Sequence, residues 1–369
     1  MEGAHFFRRL TGRVERARGA DGAVHFFDTR APDAGTIRGV SRGLPLALLV
    51  LALLAGAACS SPRLEPPARD ESCASPSKLA VAAQPAVTPR PDRVTVANGV
   101  HVVHDDAGHE IAWLTEGARS AVLRGATRSF TESDTAATVT TPIWVRALPA
   151  PFDGAVDAAW LASALADTSD DALAIASQYT ACAPARRDGG VRVAGTAHYG
   201  PQESSGDRSS GADFNDYLGV DWRFPSGSTE TARPALLDAL DCSGFVRIVW
   251  GYRLHLPLDV PPDAGAIPRR SFEILDGSPG VVVAPYTGEQ ITDFAPLLPG
   301  DLVFFDARAD DGPRIDHVGI FVGQDDGGHR RFVSSRKSSD GPTLGDYDGA
   351  SILDGTGLFA RSFRAARRL

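Results

Sequence analysis

The sequence predicts an α+β fold, because one amphipathic helix is followed by several short apolar runs. From residue 245 onward, apolar residues recur at spacings of three, four and seven, which mark one face of an α-helix. Residues 302–305 and 316–323 are mainly apolar runs of strand length, and residues 331–336 form a third run of that length with a more polar composition. The first run follows the turn dipeptide Pro299-Gly300. The C-terminal half is therefore expected to hold a helix followed by strands.

Upstream of this half, the chain is expected to pass from a linker through a small β module to a pair of helices. Residues 60–92 are rich in Pro, Ala and Ser, which predicts a semi-extended linker. In residues 93–152, Asn98-Gly99 separates two apolar runs and predicts a hairpin, so this part is interpreted as a small, SH3-like β module. Residues 153–209 are expected to form a helical connector and a polar, Gly-rich loop.

A cysteine stands at the predicted start of the C-terminal helix. Asp241 is a good N-cap, which puts Cys242 in the first turn. There the unpaired backbone N–H groups and the positive end of the helix dipole favour a thiolate over a thiol. The small residues Ser243 and Gly244 would let a substrate carbonyl approach, and N–H groups of this turn could hold an oxyanion. Cys242 is therefore a candidate nucleophile.

A base for this nucleophile stands at the start of the second predicted strand. Because side chains alternate between the faces of a strand, His317 shares one face with Gly319, away from the aliphatic side chains of Val318 and Ile320. The next run, residues 331–336, could supply a polar group that orients the imidazole. The pattern is typical of nucleophilic catalysis by a Cys–His pair.

Three segments in this order resemble the NlpC/P60 cysteine peptidases: DCSGFV at residues 241–246, PGDLVFF at 299–305 and HVGI at 317–320. The resemblance covers about residues 210–369. It implies a papain-like catalytic domain, in which the cysteine-bearing helix packs on an antiparallel sheet that carries the histidine. Family members typically cleave peptide bonds in the stem peptides of bacterial cell walls, often between D-glutamate and a diamino acid. The chain would thus be a cysteine-type endopeptidase acting on peptidoglycan, without a metal or cofactor.

The resemblance also assigns further site residues. The third polar residue of the family, usually His, Asn or Gln, matches Ser334, whose hydroxyl can accept the imidazole N–H without contributing a charge. The N–H groups of Cys242 and Ser243 would hold the oxyanion, and the family tyrosine that lines this site matches Tyr217 best. The Cys–His interval is long for the family and contains a Pro-rich insertion at about residues 256–296, which could shape the cleft.

The N-terminal segment predicts export. Residues 44–58 are apolar without interruption, and Arg38 and Arg42 precede them, which is the pattern of a secretion signal. Small residues lead into Cys59 and resemble a bacterial lipobox, so lipidation of Cys59 and a membrane anchor are expected, with plain secretion as the alternative. Residues 1–59 are interpreted as an N-terminal extension and signal, and the mature protein as extracytoplasmic.

Charge and residue placement argue against nucleic-acid and metal sites. The net charge is −9 at pH 7, and an acidic protein has no electrostatic footprint for nucleic acid. His101 and His104 fall on opposite faces of a predicted strand, which disfavours a metal site there. Outside the cytoplasm, Cys73 and Cys182 could form a disulfide.

Three other functions are compatible with the sequence. An amidase or acyltransferase could use the same Cys–His pair on another acyl group. A wall-binding lipoprotein with a decayed site is favoured by the uncharged Ser334 and opposed by the intact Cys242 and His317. A lipoprotein that docks a partner through the β module is the third.

Overall fold

The protein is built around two antiparallel sheets with short helices, which confirms the α+β class. The computed structural model describes residues 80–81, 89–132, 137–262, 265–308, 312–347 and 349–369. The predicted secretion signal, Cys59, Cys73 and most of the predicted linker lie outside these described residues.

The first sheet is the predicted N-terminal β module. Its strands are β1 (Ala80–Val81), β2 (Pro89–Ala97), β3 (Val100–Asp105), β4 (Glu110–Thr115), β5 (Ser120–Thr131) and β6 (Thr138–Ala147). They pair in the order β1-β5-β4-β3-β2, and β6 also pairs with β5. Asn98 and Gly99 join β2 to β3 with φ angles of 51° and 72°, which confirms the predicted hairpin turn. An antiparallel module is present, and its SH3-like character stays a prediction.

Two helices and a small hairpin connect the sheets. They are α1 (Ala158–Ala166), α2 (Ala172–Ser177), β7 (Arg186–Asp188) and β8 (Val191–Ala194). The hairpin of β7 and β8 lies where the sequence predicts only a loop.

Cys182 is disulfide-bonded, and the predicted pairing with Cys73 stays a prediction because Cys73 is outside the described residues.

The second sheet carries the predicted site. Before it come α3 (Phe214–Leu218), β9 (Trp222–Arg223), β10 (Thr229–Glu230), α4 (Cys242–Val246) and α5 (Ser271–Gly277). Its strands and last helix are β11 (Val281–Ala284), β12 (Leu302–Phe305), β13 (His317–Gln324), β14 (Arg330–Arg336), β15 (Gly341–Thr343), α6 (Leu358–Ser362) and β16 (Phe363–Arg368). The strand order is β11-β16-β12-β13-β14-β15, and every pairing is antiparallel. The sheet therefore places β13 and β14, which the sequence analysis singled out, side by side.

Helix α4 packs into a core that it shares with both sheets. The predicted apolar face is buried at Phe245, Ile248 and Val249, and the helix continues in π-helical geometry over Arg247–Arg253. One hydrophobic cluster contains α4 together with Val145 of β6 and Val318 of β13. The shared core holds the start of α4 against the second sheet.

A buried arginine of this helix fixes the course of the insertion. The Nε of Arg247 donates to both carboxylate oxygens of Asp213, each at 3.0 Å. Its Nη1 donates to the backbone carbonyls of Asp259 and Ile267, each at 2.6 Å. Both carbonyls belong to the segment of residues 256–296, so the helix that begins with Cys242 also anchors the insertion.

A second buried ion pair joins the β module to the catalytic sheet. Arg368 of β16 binds Asp301 through Nε and Nη2, both at 2.8 Å, and its Nη1 donates to the hydroxyl of Thr115 at 2.9 Å. Next to it, the Leu369 carbonyl accepts the N–H groups of Arg119 and Ser120. These contacts tie the end of the second sheet to the first.

The buried carboxylate of Asp171 should be a main determinant of stability. It accepts hydrogen bonds from Arg128 at 2.5 Å and from the N–H groups of Val145 and Ala174 at 2.6 and 3.0 Å. Asp171→Ala leaves the buried Arg128 charge without this partner, so we expect the free energy of unfolding to fall by about 3–5 kcal/mol. Urea denaturation followed by circular dichroism measures the loss.

The exposed N-cap Asp157 is the matched control for this change. It caps α1 through the N–H groups of Ala159 and Trp160. Asp157→Ala removes a cap without stranding a buried charge, so its cost should be about 1 kcal/mol. If the two variants lost the same free energy of unfolding, the buried ion pair of Asp171 and Arg128 would contribute no more to stability than an exposed helix cap.

Candidate active site

The fold places Cys242 at the first position of α4, as the sequence predicts. Asp241 is the N-cap, and its Oδ1 accepts the N–H of Gly244 at 2.8 Å. A Cβ at Gly244 would lie 2.3 Å from the carbonyl oxygen of Ala212, so only glycine permits this close backbone approach. In the sequence DCSG, Asp241 is therefore required as the helix cap and Gly244 is required because there is no room for a side chain.

The start of β13 faces the Cys242 sulfur. The Sγ atom lies 4.0 Å from the carbonyl oxygen of Asp316, and the N–H of Val318 also points to the sulfur. These two groups flank His317 in the chain, so the fold brings the nucleophile candidate to the peptide that carries the base candidate. Residues 74 positions apart in sequence meet here because α4 packs against β13.

The imidazole of His317 bonds to the predicted third residue. Its Nε2 is 3.0 Å from the Oγ of Ser334, which is fully buried on the neighbouring strand β14. The rings of Phe305 and Phe359 pack beside the imidazole, with centroids 5.8 and 5.3 Å away. The histidine is therefore held by one hydroxyl and two aromatic rings.

The buried surroundings keep both partners uncharged in the free protein. Burial raises the pKa of the Cys242 thiol to about 12, and the negative charge of Asp241 adds to the rise. Burial lowers the pKa of His317 to about 3, and the positive charge of Arg336 contributes. The sequence-based expectation of a thiolate is therefore wrong for the resting state, because burial outweighs the helix N-terminus.

An arginine that the sequence analysis did not identify neutralises Asp241. Arg269, from the insertion, binds Asp241 through Nη2 at 2.8 Å and donates from Nη1 to the Oγ of Ser243 at 2.6 Å. Burial alone would raise the pKa of Asp241, but the charge and hydrogen bonds of Arg269 hold it below its usual value. The Ser243 side chain is committed to this network, and its backbone N–H faces the Cys242 sulfur.

A cleft of about 750 Å³ opens over Cys242. Asp241 and Ser243 lie beside the cysteine in its lining, and the insertion contributes Arg269 and Phe272. The insertion at residues 256–296 therefore does shape the cleft, since α5 and the turn before it form one wall. This volume is large enough to hold several residues of a peptide.

The tyrosine assignment requires a correction. Tyr217 is fully buried in α3, donates its hydroxyl to the Gly195 carbonyl at 2.8 Å, and packs edge-on against Tyr179. It supports the core and does not line the cleft. Tyr199 lines the cleft instead, and burial raises its pKa well above the usual value.

A sequence signal for Tyr199 was present but is weak. A Cβ at the next residue, Gly200, would lie 2.3 Å from the Ser209 carbonyl oxygen, so a tight turn requires this glycine. A Tyr-Gly pair upstream of the cysteine could have been noticed, but its distance from Cys242 depends on how the intervening loop folds.

The described residues contain no group of three or more potential metal ligands. His101 lies 2.6 Å from Glu116 through Nε2, and His109 pairs with Asp105. Over the same part of the chain, no helix has the length and apolarity needed to span a membrane.

Comparison with known proteins finds a similarity to one family in this region. Residues 220–341 match the NlpC/P60 family. No curated protein matches the sequence.

Among solved structures, an NlpC/P60 family protein from Bacillus cereus shares 26% identity over 35% of this chain and 32% of its own, with a TM-score of 0.23. A Staphylococcus aureus structure described as similar to a lipoprotein of the NLP/P60 family shares 16% identity over 60% and 50%, with a TM-score of 0.25. NlpC1 from Trichomonas vaginalis shares 14% identity over 74% and 78%, with a TM-score of 0.27. The chain thus spans about a third and a half of the first two structures.

The buried imidazole should make the fold sensitive to acid. A histidine whose pKa falls from 6.5 when unfolded to about 3 when folded binds a proton preferentially in the unfolded state between these values. The contribution of the neutral His317 to the free energy of unfolding is therefore fully present above pH 6.5 and is lost as the pH falls towards 3. We expect His317→Asn to flatten this part of the stability curve, measured by denaturant unfolding at a series of pH values.

His255→Asn is the control, since His255 is an exposed histidine at the end of the π-helical turn. It should leave the slope between pH 3 and 6.5 unchanged. An unchanged slope in His317→Asn would mean that the imidazole is not held neutral by the fold.

Proposed function

We propose that this chain, which matches the NlpC/P60 family over residues 220–341, is a cysteine peptidase that hydrolyses peptide bonds in peptidoglycan stem peptides. The observation that carries the proposal is the Cys242 sulfur at the floor of an open cleft, against the strand start where His317 bonds to Ser334. The most specific form of the proposal is an endopeptidase for the bond between D-glutamate and a diamino acid, which is the family's frequent target.

In the first step, His317 acts as general base. A neutral imidazole with its N–H on Nε2 donates to Ser334 and leaves Nδ1 as the acceptor for the thiol proton. Because the thiol pKa is about 12, the proton should move to Nδ1 as the sulfur–carbon bond forms, without a free thiolate beforehand. The substrate carbonyl oxygen then becomes an oxyanion.

In the following steps, the proton returns to the leaving group. In this proposal, the N–H groups of Cys242 and Ser243 and the hydroxyl of Tyr199 stabilise the oxyanion, and all three residues line the cleft. The imidazolium gives its proton to the leaving amine as the peptide C–N bond breaks, which leaves an acyl group on the sulfur. Water then releases the acid, and its proton returns through His317 to the thiol.

One observation supports the rival of a decayed, wall-binding protein. The pKa of His317 is about 3, and Ser334 carries no charge that could stabilise an imidazolium. An amidase or acyltransferase would use the same two residues, and only its products distinguish it. These rivals are separated from the peptidase by fragment analysis and by site variants.

Variants of Cys242 and Ser334 should have graded effects on hydrolysis. We expect Cys242→Ala to abolish release of peptide fragments from purified peptidoglycan, because no other described cysteine is free. Ser334→Ala should lower kcat by roughly 10- to 100-fold, since it loosens the imidazole without removing it. Fragments are identified by mass spectrometry, and their masses name the bond.

Ser334→His supplies the control, because it restores a residue type that is usual in the family. Activity at or above that of the wild type would support an orienting role for position 334. Hydrolysis that survives in Cys242→Ala would eliminate the mechanism. A wild-type protein that sediments with peptidoglycan but does not hydrolyse it would favour the wall-binding function.

The proposal includes export with a lipid anchor on Cys59, which rests on the residues before it in the sequence. Expression of the full gene in bacteria with a labelled fatty acid should give a labelled protein in the membrane fraction. Cys59→Ala should lose the label and shift to the secreted fraction. If the wild-type protein carried no label, lipidation would be refuted and secretion without an anchor would be the remaining explanation.

A further inference from the structure

The turn between β14 and β15 presents one carboxylate to the segment that carries Tyr199. The Oδ1 atom of Asp340 accepts the backbone N–H of Tyr199 at 3.1 Å. The other carboxylate oxygen, Oδ2, lies 2.9 Å from Nδ1 of His198 and 3.0 Å from Nη2 of Arg208. Asp340 itself lies outside the lining of the cleft. It therefore reaches a cleft residue only through that residue's backbone.

Two further hydrogen bonds fix the residue that precedes Tyr199. The N–H of His198 donates to the Asp238 carbonyl at 2.9 Å, and the His198 carbonyl accepts the N–H of Leu240 at 2.7 Å. The N–H of Tyr199 lies beyond this pairing and donates to Asp340. The carboxylate thus extends the fixed backbone by one residue, to the residue whose side chain lines the cleft.

The chain after Tyr199 forms a loop that the same turn holds at its far end. Arg208 donates from Nη1 to the Gly200 carbonyl at 3.0 Å and pairs through Nη2 with Asp340. Lys337, at the start of the turn, pairs with Asp207 at 2.7 Å. The turn therefore contacts the loop of residues 200–209 at both ends.

The turn is pressed closely against this segment. Asp340 has a φ of 52°, in the left-handed region that Asp and Asn adopt more readily than most residues. A Cβ at the next residue, Gly341, would overlap the carbonyl oxygen of Ala197. The turn follows directly on β14, whose Ser334 bonds to His317. One hairpin therefore contacts both the base candidate and the backbone of the cleft tyrosine.

We infer that Asp340 is a positioning residue, which holds the Tyr199 backbone so that the phenol hydroxyl faces the oxyanion as it forms. The inference rests on the proposed peptidase and on the role proposed there for Tyr199. A hydrogen-bond donor stabilises an oxyanion best when it is fixed before the charge develops. A small displacement of such a donor can lower the rate by a large factor. Asp340 acts through Tyr199 and does not touch the substrate.

Asp354 offers a matched control for Asp340. Its carboxylate accepts the backbone N–H of Arg330 at 3.2 Å, and it lies 3.2 Å from the guanidinium of Arg330 and 3.5 Å from Nδ1 of His329. Its side chain is 16% exposed, compared with 15% for Asp340. Asp354 thus has the same three kinds of partner, but none of these residues lines the cleft.

A double-mutant cycle tests whether Asp340 acts through Tyr199. Kinetics are measured on a synthetic stem peptide in which D-glutamate is linked to a diamino acid. Asp340→Gly removes the carboxylate and tolerates the positive φ, so it should lower kcat about tenfold and leave KM within about twofold. Tyr199→Phe should lower kcat about 100-fold, and the addition of Asp340→Gly should then cost no more than about a further twofold. Asp354→Gly should leave kcat within about twofold of the wild type.

Three results would overturn the inference: an equal loss of kcat in the presence and absence of the Tyr199 hydroxyl, an equal loss in Asp354→Gly, or no loss in Asp340→Gly. If Asp340→Gly does not fold, Asp340→Asn decides. Its amide oxygen can still accept the Tyr199 N–H without a charge for Arg208, so kcat should fall only about threefold. That loss should vanish in the Tyr199→Phe background. A wild-type kcat in Asp340→Asn, or the same loss in both backgrounds, would contradict the positioning role.

Hydrogen–deuterium exchange separates this inference from the proposed function. Asp340→Gly should speed exchange of the Tyr199 amide at least about tenfold, and Asp354→Gly should not. A wild-type chain that cleaves no stem peptide but shows this faster exchange in Asp340→Gly refutes the peptidase and retains Asp340 as the group that holds Tyr199. A chain that cleaves the peptide and shows unchanged exchange in Asp340→Gly refutes the positioning role and retains the peptidase.

Discussion

The buried carboxylate of Asp241 is the group on which the site depends. It caps α4 through Gly244, accepts the N–H of Gly211 at 2.9 Å, and receives the charge of Arg269. Three separate segments, those that contain residues 211, 244 and 269, therefore meet at one side chain. Since Cys242 is the next residue, its position follows from how this carboxylate is satisfied.

The same carboxylate imposes an electrostatic cost on the cysteine. Its negative charge opposes a second anion on the adjacent sulfur, and burial acts in the same direction. Arg269 offsets part of this effect because it contacts Asp241 and lowers the thiol pKa. The thiol and the imidazole are thus stable in their uncharged forms. Charge should develop on them only when the substrate and the oxyanion donors are in place.

The fold supports this arrangement by giving one helix two functions. The first turn of α4 carries Cys242 and faces β13, while its π-helical continuation carries Arg247, which anchors the insertion. The insertion then returns Arg269 to the helix start and directs Arg270 and Phe272 into the cleft. A single helix therefore couples the candidate nucleophile to the segment that shapes its cleft.

The sequence by itself determined the features that depend on neighbouring residues. The Asn98-Gly99 turn, the Asp241 cap with Cys242 behind it, and the alternation that sets His317 apart from Val318 all follow from local backbone preference and periodicity. Ser334 was assigned from the family resemblance, and its hydroxyl lies 3.0 Å from His317 because β13 and β14 are neighbouring strands. Only the tertiary structure decided that Tyr199 rather than Tyr217 lines the cleft, that Arg269 neutralises Asp241, and that the thiol and imidazole rest uncharged. The physical reason is that burial and contacts between distant segments set these properties, and neither is encoded in the spacing of adjacent residues.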